Sequence, residues 1–510
     1  MKTFNLVSKL GIVCAAAIIL FSTSCKKDRK VIVDDGITEI TGPDLNFYAL
    51  TADNKLQLLN AKDVSSVTST VAITGLATGE TILGIDFRPA TGELYAVSSA
   101  SRIYIINKTS GAVRAVGTAA FTPAINGTSL GFDFNPIVDR IRLVTSTGQN
   151  LRLNPETGTV AMADGAINGA TVNIGAVAYT ENRAGAITTV LFDIDPTTDK
   201  LYKQDPPNNG TLVEVGSLSV DVTSAGGFDI SPDGTSALAA LTVGGTTGLY
   251  KIDITTGKAS KIAKNFAGNI IGLAIPTEPV AYAVSAANEL LIFNPTNPTP
   301  VAKLITGLQA GESILGMDFR PVNGQLYALG STSRLYTLNA SSGVAAQVGT
   351  TQLTTLLAGT AFGFDFNPTV DRIRVVSNLG QNLRLNPNDG AVAAVDGSLL
   401  PATSVISSAA YTNNFAGATT TVLFDIDAQN GRLVKQDPPN IGTLVDVGAL
   451  GVTATAANGF DIGSTSGTAY ALLTVSGVTK VYTINLTTGA ATAGATITGN
   501  VSAFTLGLGF

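Results

Sequence analysis

Two stretches of this chain spell nearly the same eight residues: Ile-Leu-Gly-Ile-Asp-Phe-Arg-Pro at 82–89 and Ile-Leu-Gly-Met-Asp-Phe-Arg-Pro at 314–321. Gly84 and Gly316 lie 232 residues apart, and the same offset links Gly-Phe-Asp-Phe-Asn-Pro at 131–136 and 363–368. It also links Gln-Asn-Leu-Arg-Leu-Asn-Pro at 149–155 and 381–387, Val-Leu-Phe-Asp-Ile-Asp at 190–195 and 422–427, and Lys-Gln-Asp-Pro-Pro-Asn at 203–208 and 435–440. A repeat this long and this regular limits the architecture to a duplicated unit before any single residue is weighed.

Inside each copy a shorter period runs. Similar strand openings fall near Gly84, Gly131, Ala176, Gly227, Gly272 and Gly316, at steps of 47, 45, 51, 45 and 44 residues. Each unit begins with a strand such as Leu-Gly-Phe-Asp-Phe at 130–134, followed by a Pro- or Gly-bearing turn such as Asn135-Pro136. Two alternating strands come next, as at 94–97 and 102–107; then a Thr/Ser-Gly turn and a fourth strand. Four short strands in about 45 residues is the sequence form of a β-propeller blade. No helical periodicity follows residue 24.

The fold class read here is all-β: a β-propeller of two tandem five-bladed repeats, 43–275 and 276–510. Residues 46–75 supply later strands without an opening one, and Phe504–Phe510 is an opening strand with no blade behind it. If the tail completes the front sheet, one ten-bladed ring results. If Ile270–Ile275 completes it, each copy closes on itself. Propellers ordinarily have four to eight blades, which favours two rings. The short link Pro276-Thr277-Glu278-Pro279 favours one.

The ordered GxDFxP, DRIR, QNLRLNP and VLFDID segments resemble a bacterial family known only as domain of unknown function 4394, over about 43–275 and 276–510. The resemblance implies a propeller-like fold and carries no activity or site residues.

The N-terminus reads as a leader. Lys2 and Lys9 precede an apolar run from Leu10 to Phe21, and Ser22-Thr23-Ser24 precede Cys25. This is a signal peptide over 1–24, with an apolar run short of the ~20 residues of a membrane span. It resembles the lipoprotein signals of Bacteroidota, which makes Cys25 the lipid attachment site and the membrane a partner through it. Residues 25–42 read as a lipidated N-terminus and spacer. The expected location is the outer membrane of a Gram-negative bacterium, on its periplasmic or cell-surface face. Cys14 leaves with the leader, so the folded part has no thiol left for a disulfide or a metal.

Composition removes several functions. The formal charge is −6, and it becomes −8 once the leader takes Lys2 and Lys9 away. No Lys/Arg cluster follows the spacer, so no nucleic-acid partner is expected. The chain has no histidine, hence no Ser-His-Asp triad, no Cys-His pair and no His-ligated metal. Neither a metal nor another cofactor is expected. Tryptophan is absent too, so any stacking on a sugar falls to Tyr and Phe.

One unit of each copy carries polar residues that the others lack: Arg140, Arg142, Gln149, Asn150 and Arg152, repeated as Arg372, Arg374, Gln381, Asn382 and Arg384. Alternation puts Ile141 and Leu143 on one sheet face and Arg140 and Arg142 on the other. An arginine between two packed sheets needs a carboxylate, and Asp133, Asp139 and Asp164 are at hand. The cluster is therefore either a structural ion-pair network or an arginine-lined rim for an anion. Asp86, Asp133 and Asp229, with Asp318, Asp365 and Asp461, recur in opening strands and read as strand-to-turn acceptors of backbone N–H bonds. Asp193, Asp195 and Asp199 suit a β-turn better than a calcium loop. Lys203–Asn208 reads as an exposed rigid loop. No catalytic residue is assigned. The function read from these residues is a membrane-anchored binding or scaffold module of the cell envelope with a protein or glycan ligand. The alternative is an envelope or extracellular hydrolase or lyase working without histidine. Oligomeric state stays open.

Overall fold

A computed structural model describes residues 39–169 and 173–510. The leader, Cys25 and the spacer as far as residue 38 lie outside the described residues. The end of the spacer already belongs to the fold. Ile40 donates its N–H to Lys261 O at 2.9 Å, and Glu39 pairs with Lys261 at 2.9 Å. The strand Ala259–Asn265 ends its sheet, and its open backbone edge takes this short segment.

The described chain is all-β: ten four-stranded antiparallel sheets in two tandem repeats, with a single 3-10 turn at Pro207–Asn209. The sheet holding the arginine cluster illustrates why. Leu130–Asn135, Arg140–Thr145, Asn150–Leu153 and Val160–Ala163 run in order, each pairing with the next. Their β-branched and aromatic residues suit a pleated surface packed on both faces. The first turn is set by Asn135, whose Oδ1 accepts Ile137 N–H at 3.0 Å, and by Asp139 in the left-handed region at φ 51°. Both conformations suit short polar side chains.

At the chain ends, each of two late strands pairs within its own repeat. Ile270–Ala274 pairs with Asn46–Thr51, completing the sheet of Lys55–Asn60 and Ser69–Ala72. The tail strand Val501–Leu506 pairs with Ala281–Ser285 of its own repeat. The tail therefore does not complete the front sheet.

Hydrophobic clusters sit between consecutive sheets. Ile141, Leu143, Leu151 and Leu153 pack with Tyr95, Val97 and Ile103 of the preceding sheet, whereas Val144 faces Val177, Tyr179 and Tyr202 of the following one. The opening strands Ile82–Phe87, Leu130–Asn135, Ala176–Tyr179, Val222–Ile230 and Ile270–Ala274 also pack side by side, and the last lies against the first. Glycine makes the close approach possible: a Cβ added to Gly131 would lie 2.6 Å from Val177 N. Aspartates then tie these strands together where no ladder does. Asp86 Oδ2 accepts Phe134 N–H at 2.8 Å, Asp133 Oδ1 accepts Tyr179 N–H at 3.1 Å, and Asp229 Oδ2 accepts Ile275 N–H at 2.6 Å.

The two repeats meet through strand-to-strand turns. Arg88 Nη1 donates to Gly324 O at 3.0 Å, Tyr282 Oη to Ala90 O at 2.8 Å, and Gly509 N to Thr91 O at 2.7 Å. The ring of Phe510 fills the space beside Gly92, where a Cβ would lie 2.2 Å from it.

Candidate functional site

The arginine cluster forms a buried network between two sheets. Arg142 is 1% exposed and reaches four partners: Tyr179 Oη at 3.3 Å, Asn150 Oδ1 at 2.7 Å, Asp164 Oδ2 at 2.7 Å and Asn208 Oδ1 at 2.8 Å. Arg152 grips the same Asp164 with Nε at 2.7 Å and Nη2 at 2.8 Å, the fork-on-carboxylate geometry of a strong charge-assisted pair. Asn150 donates to Gly165 O and Pro207 O. Lys203 and Gln204 end the strand Lys200–Gln204, with Gln204 buried, so only the turn that follows is a loop, and it is held down through Asn208 and Pro207. Arg374, Asn382, Arg384 and Asp396 repeat the arrangement with Tyr411 and Asn440.

The remaining members serve nearby backbone. Gln149 receives Asn126 N–H and donates to Ala124 O, as Gln381 does with Ala358 and Leu356. Arg140 and Arg372 turn back to Asp139 O and Asp371 O. Of the three carboxylates considered for Arg142, Asp164 is the partner. Asp139 is taken by Arg88, and Asp133 by the Tyr179 backbone. In the second repeat Asp371 likewise pairs with Arg320.

Beside each network lies an acid without a hydrogen-bond partner among the described residues. Asp193 pairs in register with Val177 and Tyr202, on the face toward Arg142, and both its oxygens are buried. Burial pushes its carboxyl to about 8, against the opposing pull of Arg142. Asp425 repeats this beside Arg374, also at about 8. Asp195 instead caps its turn, accepting Thr197 N–H at 2.7 Å.

The opening-strand aspartates converge. Asp86, Asp133 and Asp229 place carboxylate oxygens within 4.8 Å of one another, as do Asp318, Asp365 and Asp461, and all six are buried. Burial raises all six carboxyls above the usual range, and in Asp86 and Asp318 the charge of Asp229 or Asp461 adds to it. Each trio is chemically suited to share protons or to hold a hard cation. The repeats differ here in one residue. Thr505 stands within hydrogen-bond reach of Asp318 Oδ1 (2.9 Å) and Asp461 Oδ2 (3.0 Å), where the first repeat has Ala274.

A further difference lies at the N-terminal ends of the opening strands. In the second repeat these ends surround a cup of about 250 Å³ whose lining includes Ser313, Thr360, Ser407, Asn458 and Ser502, and no charged residue. The sequence reading did not find these residues. Their signal is disagreement between the copies: Ser407, Ser408 and Asn458 stand where the first repeat has Gly175, Ala176 and Gly226.

The profile of a family described as a domain of unknown function (DUF4394) matches residues 55–274 and again 289–506. No curated protein matches the chain. Among solved structures, the chain is similar to the extracellular domain of a protein described as a one component system from B. thetaiotaomicron. The two share 13% identity at a TM-score of 0.25, over 88% of this chain and 58% of that one. The chain thus spans less than two thirds of that structure's length.

Proposed function

The chain belongs to the family described as a domain of unknown function (DUF4394), in two copies, and we propose that it is an envelope-anchored binding module built on two five-bladed β-propellers. Self-closure of each repeat is supported by the pairing of Ile270–Ala274 with Asn46–Thr51 and of Val501–Leu506 with Ala281–Ser285. A ring of sheets leaves no apolar sheet face uncovered and presents loops on a rigid frame. The anchor in this reading is a lipid on Cys25, and the setting is the outer membrane of a Gram-negative cell. Several acyl chains together hold a protein stably at a bilayer.

One observation carries the preference for binding over catalysis. The arginine cluster and the opening-strand aspartates are spent on the frame: Arg142 and Arg374 are each tied to four internal partners, and Asp86, Asp133 and Asp229 to neighbouring backbone. The cup of the second repeat, by contrast, is lined by uncharged side chains. Such a surface recognises a ligand by hydrogen bonds and shape rather than by proton transfer.

The test compares the full chain with its Cys25→Ala form, each incubated with envelope polysaccharides and peptides while retention and product release are followed together. The expected result is retention without product, with only the native form in the membrane fraction. Release of shortened polymer would replace the binding module with the hydrolase or lyase reading.

A further inference from the structure

We infer that the cup of the second repeat is a binding site for one neutral sugar ring at the end of a glycan, and that the two repeats have diverged so that the first lacks it. This rests on the binding reading above and gives it a place and a ligand class.

The argument starts from one backbone contact. In the first repeat a Cβ at Gly226 would fall 1.9 Å from the Ile270 carbonyl oxygen, so the strands Val222–Ile230 and Ile270–Ala274 meet there with no room for a side chain. The second repeat carries Asn458 at that position, on the strand Ala454–Ile462. The ladder differs there, since Gly459 pairs with Leu472 whereas the first repeat leaves both Gly226 and Gly227 out of its ladder, and the cup occupies this end of the strands. Asn458 Nδ2 is held by Thr474 Oγ1 at 2.9 Å, which fixes the amide at the cup wall.

The lining is polar without being charged. Ser407 is 7% exposed, and its hydroxyl has no hydrogen-bond partner among the described residues. The Ser408 hydroxyl is likewise buried without a partner, in a constriction of about 10 Å³ that it lines together with Gly316, Phe364 and Gly459. A buried hydroxyl left unpaired destabilises the fold, so two of them in adjacent positions point to a hydrogen-bonding ligand. The glycine-for-serine and alanine-for-serine differences place both hydroxyls in the second repeat alone.

Size and charge narrow the ligand. A volume of about 250 Å³ lies just below the roughly 300–1,000 Å³ of drug-sized pockets, enough for one ring and not for a length of polymer. An amino acid or peptide terminus would bring a charge that no lining residue answers. A sugar ring presents hydroxyls at its edge and C–H groups on its face. The cup offers both partners, in Ser313, Ser407, Asn458 and Ser502 for the edge and Phe362 and Ala503 for the face.

Saturation-transfer NMR on the full chain with N-acetylglucosamine, glucose, galactose and mannose tests this. At least one sugar should receive transfer, and the triple variant Ser407→Gly, Ser408→Ala, Asn458→Gly should weaken its binding at least tenfold. The first repeat already carries these three residues at the matching positions, so the frame accepts them. Ser407→Ala alone, which removes one unpaired hydroxyl, should give a smaller loss without lowering the melting temperature. The inference is overturned if none of the four sugars receives transfer, or if transfer persists in the triple variant. Retention of polysaccharide by that variant would leave the binding module standing and remove the cup from it.

Discussion

Arg142 and Arg152 share one carboxylate, but their side chains are 1% and 29% exposed. That difference sets their weight in the fold. Removing Arg142 takes a partner from Asn150, Asn208 and the Tyr179 hydroxyl in a buried contact between sheets and leaves Asp164 to the half-exposed Arg152 alone. Breaking a buried pair from one side costs about 3–5 kcal/mol, so Arg142→Ala should lower unfolding stability by that order in a denaturant titration. Arg152→Ala leaves Asp164 its inner partner and should cost on the order of 1 kcal/mol. An unchanged Arg142→Ala melting temperature would return the cluster to the anion-site reading. Asp193 and Asp425 make a second, pH-dependent case. Their carboxyls sit at about 8 when folded, against about 3.9 in an unfolded chain. The folded state therefore keeps protons that the unfolded state releases, and stability falls as pH rises from about 4 to about 8. The double variant Asp193→Asn, Asp425→Asn should raise the melting temperature several times more at pH 8 than at pH 5. Equal shifts at both pH values would refute this assignment.

At the scale of strands and sheets, much was legible because the signals were local. Alternation in Arg140–Thr145, the Asn135-Pro136 turn and the Thr-Gly turns specify hairpins from neighbours in sequence. The 232-residue offset then carried one sheet's reading to its partner. What stayed hidden depends on partners far away in the chain. Alternation put Arg142 on the face opposite Ile141 but could not choose among Asp133, Asp139 and Asp164. That choice depends on where Arg88 reaches, 51 residues upstream of Asp139. The convergence of Asp86, Asp133 and Asp229 needs strands from three sheets, and the repetition of these acids told only of construction. The cup was hidden for the opposite reason. Reading the copies for their likeness passed over Ser407, Ser408 and Asn458, where they part.

For the whole molecule the question is how far each repeat stands alone. The clusters around Phe47, Ile82 and Phe134 draw no residue from the second repeat, and the opening strands of the first meet one another in sequence and then from last to first. The seam with the second repeat is made differently, from single hydrogen bonds to backbone carbonyls: Arg88 to Gly324, Arg114 to Val322, Tyr282 to Ala90 and Lys108 to Gly509. A cavity of about 440 Å³ lies along it, lined by Lys108, Arg114, Phe415 and Gly509. Contacts of this kind resemble a polar interdomain interface rather than a shared core. Some apolar burial does cross it, since Ala90 packs with Val280 and Leu508 and Phe510 covers Gly92. Residues 43–275 expressed alone should therefore unfold in one cooperative transition as a monomer, at a lower temperature than the intact chain. The loss should be smaller than that of a chain cut at residue 269, which removes Ile270–Ala274 and bares the paired edge of Asn46–Thr51. An unpaired strand edge invites association, so the shorter piece should aggregate on size-exclusion chromatography. If residues 43–275 aggregate as readily as residues 43–269, the strand Ile270–Ala274 does not suffice to complete the first repeat, and its stability must come from across the seam.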